Sequence, residues 1–101
     1  MSEAILTTDR LRALLASFKE RHGSEYGLRM LGYFGSHARD SATPTSDVDI
    51  VFDTETPNLF LTVMMKQDLE KLLGCHVDVL QLRGLTNLRL KARIEREAVY
   101  V

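Results

Sequence analysis

A Gly35-Ser36 step stands ten residues ahead of Asp47-Val48-Asp49 in the run GSHARDSATPTSDVDIVF, and a further aspartate, Asp78, interrupts the apolar run VDVL. Along an extended chain side chains alternate, so Asp47 and Asp49 emerge on one face with their Cα atoms about 7 Å apart. Two anions on a half-buried face repel each other and are costly to desolvate, so a stable site needs a divalent cation, a proton or basic partners between them. Oxygen donors without His or Cys alongside favour Mg²⁺ or Mn²⁺ over zinc. If the segment carrying Asp78 runs beside the Asp47–Asp49 segment, three carboxylates could hold two metal ions about 4 Å apart, the arrangement that activates an attacking oxygen and stabilises a leaving phosphate. Gly35 lets a phosphate approach the backbone, and the Ser36 hydroxyl and nearby backbone N–H groups can donate to phosphate oxygens.

The elements that would position these residues follow from periodicity. TTDRLRALLASFKERHG sets Leu11, Leu14, Leu15 and Phe18 at helical spacing, with Thr7 or Thr8 as the cap and Gly23 just past the end. HGSEYG reads as a turn, and Leu28 to Phe34 as a largely buried strand that delivers Gly35 and Ser36 at its end. RDSATPTS is loop-like, with room for one helical turn over Ser36 to Asp40 before it. Val48 to Phe52 predicts a second strand, with Val48, Ile50 and Phe52 on one face and the aspartates on the other. NLFLTVMMKQDLEKLLG predicts a helix anchored by Leu59, Val63, Leu69, Leu72 and Leu73 and closed at Gly74. CHVDVLQL predicts a third strand with Val77, Val79 and Gln81 on one face and Asp78 and Leu80 on the other. TNLRLKARIEREAVYV predicts a last helix through Leu88, Leu90 and Ile94, then a β-prone Val99-Tyr100-Val101. The alternation of helices and strands implies an α/β fold, one domain over residues 1–101.

Composition narrows the function. Thirteen basic and fourteen acidic residues in 101 leave a formal charge of −1, with no global basic field for a long nucleic acid. Cys75 is the single cysteine, which excludes an intrachain disulfide, fits a reducing compartment and reads as a small buried residue before a strand. No run approaches a membrane span and the first ten residues lack a signal-peptide pattern, so a cytoplasmic location is expected. An EF-hand is excluded because Val51 and Phe52 stand where an oxygen ligand and a glycine are required, and a P-loop because there is no GK[ST]. His37 and His76 read as surface or strand-edge residues, Met64 and Met65 as adaptable packing, and Lys66, Lys71, Arg89, Lys91, Arg93 and Arg96 as solvated helix faces. Arg39 either contacts phosphate or ties the loop to an acidic neighbour such as Asp40 or Asp47.

Gly35-Ser36, ten residues, then Asp47-Val48-Asp49, with Asp78 following, resembles the GS-x10-DxD signature and third carboxylate of the polymerase-β-type nucleotidyltransferase superfamily. GSHAR at 35–39, SDVDIVF at 46–52 and the closing IEREAVYV extend the likeness to minimal nucleotidyltransferases, including the antitoxins paired with HEPN-domain toxins. The resemblance implies a nucleotidyltransferase fold, a small mixed β-sheet flanked by helices. Asp47, Asp49 and Asp78 would be catalytic and metal-binding, Asp78 also serving as base, with Gly35, Ser36, Arg39 and Ser46 on the nucleotide. It further implies Mg²⁺-dependent transfer of AMP from ATP to a tyrosine of a HEPN toxin. The rival expectations are an antitoxin acting by binding alone and transfer to a small molecule. A 101-residue catalytic core leaves little chain for an acceptor pocket, so a second protein is the expected partner, and an exposed partner face would also permit self-association. One departure stands out: Asp40 occupies the place of the second glycine in GSxARG, which questions the loop's conformation and sets a negative charge near the expected phosphates.

Overall fold

The computed structural model describes residues 6–43 and 46–101. The order is α1 (Thr8–Tyr26), β1 (Leu28–Phe34), a 3-10 turn (Gly35–His37), β2 (Val48–Thr54), α2 (Leu59–Leu73), β3 (Val77–Gln81), α3 (Leu88–Glu97) and β4 (Val99–Tyr100). The strands form one mixed sheet in the order β3-β2-β1-β4: β1 is antiparallel to β2 and to β4, and β2 is parallel to β3. This is the mixed sheet with flanking helices that the family resemblance implies, and an α/β fold as the alternation of elements implies.

Both faces of the sheet are covered, and the alternation along β2 shows how. Val48, Ile50 and Phe52 point into the main core with Leu11, Leu15 and Phe18 of α1 and Met65 and Leu69 of α2. Val51 points the other way, against Phe34 and Ile94 of α3. Asp49 shares that second face with Val51, so α3 roofs the face on which the carboxylates stand. β2 is one of the two interior strands and is largely buried on both faces.

Local rules set most boundaries. Thr7, Asn58 and Asn87 cap α1, α2 and α3 by accepting from the N–H groups of Arg10, Leu61 and Leu90, and Gly74 closes α2 in the left-handed region. Packing overrides expectations in each of the three helices. α1 does not stop at Gly23, and HGSEYG is helical as far as Tyr26. Tyr26 is buried, stacks on Phe18 with ring centroids 6.0 Å apart and donates its hydroxyl hydrogen to Asp68 of α2. These contacts offset the roughly 1 kcal/mol that glycine costs inside a helix, and Gly27, at φ 64°, takes the C-cap instead. On α2 the anchors are Met65 and Leu69, whereas Leu59, Val63 and Leu72 are exposed. Leu88 is also exposed, and Ile94 is the buried residue of α3. Cys75 is half-buried against the core.

The chain end is stitched to β1. β4 pairs Val99 with Tyr33 and Tyr100 with Gly32, Val101 donates its N–H to the Leu31 carbonyl at 2.9 Å, and Lys19 Nζ donates to the Val101 carbonyl at 2.9 Å. A Cβ at Gly32 would lie 2.5 Å from the Val99 carbonyl oxygen and 2.8 Å from Tyr100 Cδ1. Gly32→Ala should therefore push β4 off the sheet and lower stability by about 1–3 kcal/mol, the usual range for overpacking, as read by the urea unfolding midpoint.

Candidate active site

The backbone register brings the carboxylates together. In the parallel β2/β3 ladder Asp49 lies directly opposite Asp78, and in the antiparallel β1/β2 ladder it lies opposite Phe34, the residue before Gly35. Asp47 precedes β2 by one residue and is exposed, as is Asp78, while Asp49 is half-buried. Burial raises the Asp49 pKa above the ordinary carboxylate range, and Asp78 and then Asp47 add to the rise, with Arg93 and His37 opposing it. Among the described residues no three His, Cys, Asp or Glu side chains are closed around one point as a ready metal cage. Three mutually repelling anions, two of them solvated, have no reason to close without a cation.

Asp53, farther along the same face of β2, provides an internal contrast. Arg83 meets it with two hydrogen bonds of 3.2 and 3.1 Å, and that guanidinium holds its pKa below the usual range. Asp49 has another aspartate where Asp53 has an arginine. Asp53 is bonded to its counter-charge, whereas Arg93 acts on Asp49 through its charge alone and spends its hydrogen bond on Glu97.

Gly35 is packed onto the Asp49 carboxylate. It has φ 78°, and a Cβ built there would overlap Asp49 Oδ2 and lie 3.1 Å from Cγ, so both the backbone conformation and the space demand glycine. The 3-10 turn that begins at Gly35 is closed by the N–H groups of Ala38 and Arg39 donating to the Gly35 carbonyl at 3.1 and 3.0 Å. Asp40 follows at φ 60°, the one positive-φ non-glycine among the described residues. The loop thus keeps the left-handed turn that a second glycine would supply, because the short aspartate side chain tolerates that region better than most.

Some of the basic and neutral neighbours resolve differently from expectation. Arg39 is tied to an acidic residue, but to Glu97 rather than Asp40 or Asp47, with Nη1 at 3.1 and 3.2 Å from the two carboxylate oxygens. Arg93 is not simply a solvated helix residue: its charge acts on Asp49, and its Nε donates to Glu97 at 3.0 Å. His37 is buried rather than superficial, because the 3-10 turn folds it inward; burial lowers its pKa, Asp49 opposes the fall, and its Nδ1 has no partner among the described atoms. His76 is exposed, 3.5 Å from Glu70. Ser46 fastens the loop, accepting the Thr43 N–H at 2.8 Å on its hydroxyl oxygen. Arg93 and Glu97 were not legible as site residues, because only the pairing of β4 brings the end of α3 to the Gly35 loop.

Comparison with known proteins gives a consistent family. The profile of the family described as "Nucleotidyltransferase domain" matches residues 11–101. The protein adenylyltransferase MntA of Thermococcus cleftensis is 36% identical over 99 residues, covering 97% of this chain and 99% of that protein. A Methanocaldococcus jannaschii protein assigned as a protein adenylyltransferase is 41% identical over 78 residues, covering 76% of this chain and 83% of its own. Among solved structures, one assigned as a minimal nucleotidyltransferase superposes with a TM-score of 0.77 at 33% identity, covering 92% of this chain and 94% of that one. A toxin-antitoxin crystal structure with AMP-PNP shares the fold at a TM-score of 0.68 and 20% identity, covering 92% of this chain and 70% of that one.

Two outcomes follow from the geometry. A carboxyl whose folded-state pKa is raised contributes stability that is present below its unfolded pKa and lost as pH rises through the folded value. Asp49 therefore costs the metal-free fold stability at neutral pH, and Asp49→Asn should raise the thermal midpoint at pH 7, with the advantage vanishing at pH 3. Gly35→Ala should do the reverse, lowering the midpoint by the equivalent of about 1–3 kcal/mol through strain and overlap, as measured in the same thermal scans.

Proposed function

The chain belongs to the nucleotidyltransferase domain family, and from that premise we propose that it transfers AMP from ATP to a hydroxyl of a partner protein, a tyrosine of a HEPN-domain toxin, and so acts as its antitoxin. The observation that carries this reading is the half-buried Asp49 held beside Asp78 by the β2/β3 register, with Gly35 packed on its carboxylate. A relative named as a protein adenylyltransferase, aligned along 97% of this chain, supports the reaction, and a toxin-antitoxin structure with AMP-PNP of the same fold supports the partner and the nucleotide.

The donor set fits a hard divalent cation. Asp47, Asp49 and Asp78 offer only oxygen atoms, and the ionised form of Asp49 is opposed by burial and by Asp78, a penalty that a cation would relieve. These residues would hold Mg²⁺ or Mn²⁺, two ions in the full site, which when bound supply charge neutralisation at the reacting phosphates. Ser36 and Ser46 would donate to phosphate oxygens from either end of the loop, and Arg39, whose side chain is 45% exposed, keeps guanidinium N–H groups turned to solvent for the same purpose. Asp78 would take the proton of the acceptor hydroxyl. The acceptor oxygen then forms a bond to the α-phosphorus of ATP, the bond from that phosphorus to the bridging oxygen breaks, and pyrophosphate departs with the electron pair.

A protein acceptor suits the architecture. Residues 1–101 act in this reading as one domain whose helices are spent covering the two sheet faces. α2 leaves Leu59 and Phe60 81% and 72% exposed, apolar surface of the kind that meets another protein.

Labelled ATP with Mg²⁺ and the toxin partner tests the proposal. Label should remain on the partner after denaturation. Asp78→Asn should slow labelling by about 10²–10⁴-fold, the usual contribution of a positioned base, and Asp47→Asn should also abolish detectable transfer. Inhibition of the partner with no label retained would favour neutralisation by binding alone, and label moving only to a small hydroxylated acceptor would favour the small-molecule reading.

A further inference from the structure

The closing stretch IEREAVYV carries a carboxylate that the proposed chemistry leaves unused. The short β1/β4 ladder brings the end of α3 back to the end of β1, and Glu97 to Gly35. There the Glu97 side chain, 17% exposed, gathers donors from both sides: the Gly35 N–H at 3.1 Å, Arg39 Nη1 at 3.1 Å and Arg93 Nε at 3.0 Å, all on Oε1, with Arg39 also reaching Oε2. Burial works against its ionisation, yet the Gly35 N–H and the two guanidinium groups outweigh it and hold the Glu97 carboxyl below its usual range, so it is an anion at neutral pH.

Two consequences follow for the loop. The Gly35 N–H is already committed to Glu97, which leaves phosphate contacts to Ser36 and the turn beyond it. The position of Gly35, with its Cα pressed on Asp49, is fixed from the α3 side by a charge-assisted bond rather than by packing alone. We propose that Glu97 is a positioning residue for nucleotide binding: it fastens the Gly35 loop against Asp49 and holds Arg39 and Arg93 at the edge of the carboxylate site, so that the loop and both guanidinium groups are in place before ATP arrives. An uncompensated pair of arginines would otherwise be free to swing onto Asp49 and Asp78 and neutralise the site.

The inference rests on the nucleotide-transfer reading, and its test separates the two. Calorimetric binding of ATP with Mg²⁺ to the 101-residue chain is compared for the wild type, Glu97→Gln and Glu97→Ala, together with the KM values for ATP and for the acceptor protein. Loss of a charge-assisted bond should weaken ATP binding in Glu97→Ala at least about tenfold and raise the KM for ATP while leaving that for the acceptor unchanged. Glu97→Gln should recover part of the loss, because its amide oxygen still accepts from Gly35. A role in folding alone would lower the unfolding midpoint and the active fraction and leave the ATP affinity of the folded fraction at the wild-type value; that result overturns the proposal by itself. A wild-type chain that binds no ATP overturns it together with the nucleotide-transfer reading.

Discussion

Everything in this molecule leans on one placement: a half-buried aspartate set by backbone register beside a second aspartate. The β2/β3 ladder is parallel, so its strands must be joined by a crossover, and α2 is that crossover. The hydrogen bonds of the ladder fix Asp49 opposite Asp78 whatever the side chains prefer. A protein could discharge such a pair with an arginine, as Arg83 does for Asp53 on the same strand. Here a second aspartate stands opposite, Arg93 acts through its charge without bonding to the pair, and the remaining repulsion is carried by the rest of the fold.

The remaining parts are arranged around that repulsion. Gly35 is the only kind of residue that can lie against the Asp49 carboxylate at φ 78°. The basic groups in reach, Arg39 and Arg93, are turned to Glu97 rather than bonded to the carboxylates. β4, two residues long, pairs with β1 and sets the end of α3 at the Gly35 loop, and Gly32 is bare so that it can. Leaving the pair without a bonded counter-charge costs stability, the trade expected if, as proposed, the site takes a cation and a charged substrate.

Much of this was legible in the sequence, and the illegible part has a common cause. The alternation in VDIVF placed the aspartates opposite Val48, Ile50 and Phe52, and the Thr7 cap and the Gly74 stop follow local rules that need no tertiary information. The run of β1 from Leu28 to Phe34 was also readable, as was Gly35 at its end. What local pattern could not supply was contact between distant segments. Gly23 reads as a helix end until Tyr26 is known to reach Phe18 and Asp68. Leu59 and Val63 read as core until Met65 and Leu69 are seen to take the buried stripe. His37 reads as surface until the 3-10 turn buries it, and Arg93 and Glu97 read as an ordinary helix pair until the β1/β4 register brings them to a loop some sixty residues earlier in the chain.

As proposed, the Asp49–Asp78 juxtaposition is a cation site held open by the fold. Equilibrium unfolding at neutral pH across a Mg²⁺ titration tests it most directly, since an ion bound only by the folded state adds stability by mass action. The midpoint should climb with Mg²⁺ in the wild type and stay nearly flat in Asp49→Asn. Parallel responses of the two proteins, or no response in either, would contradict it.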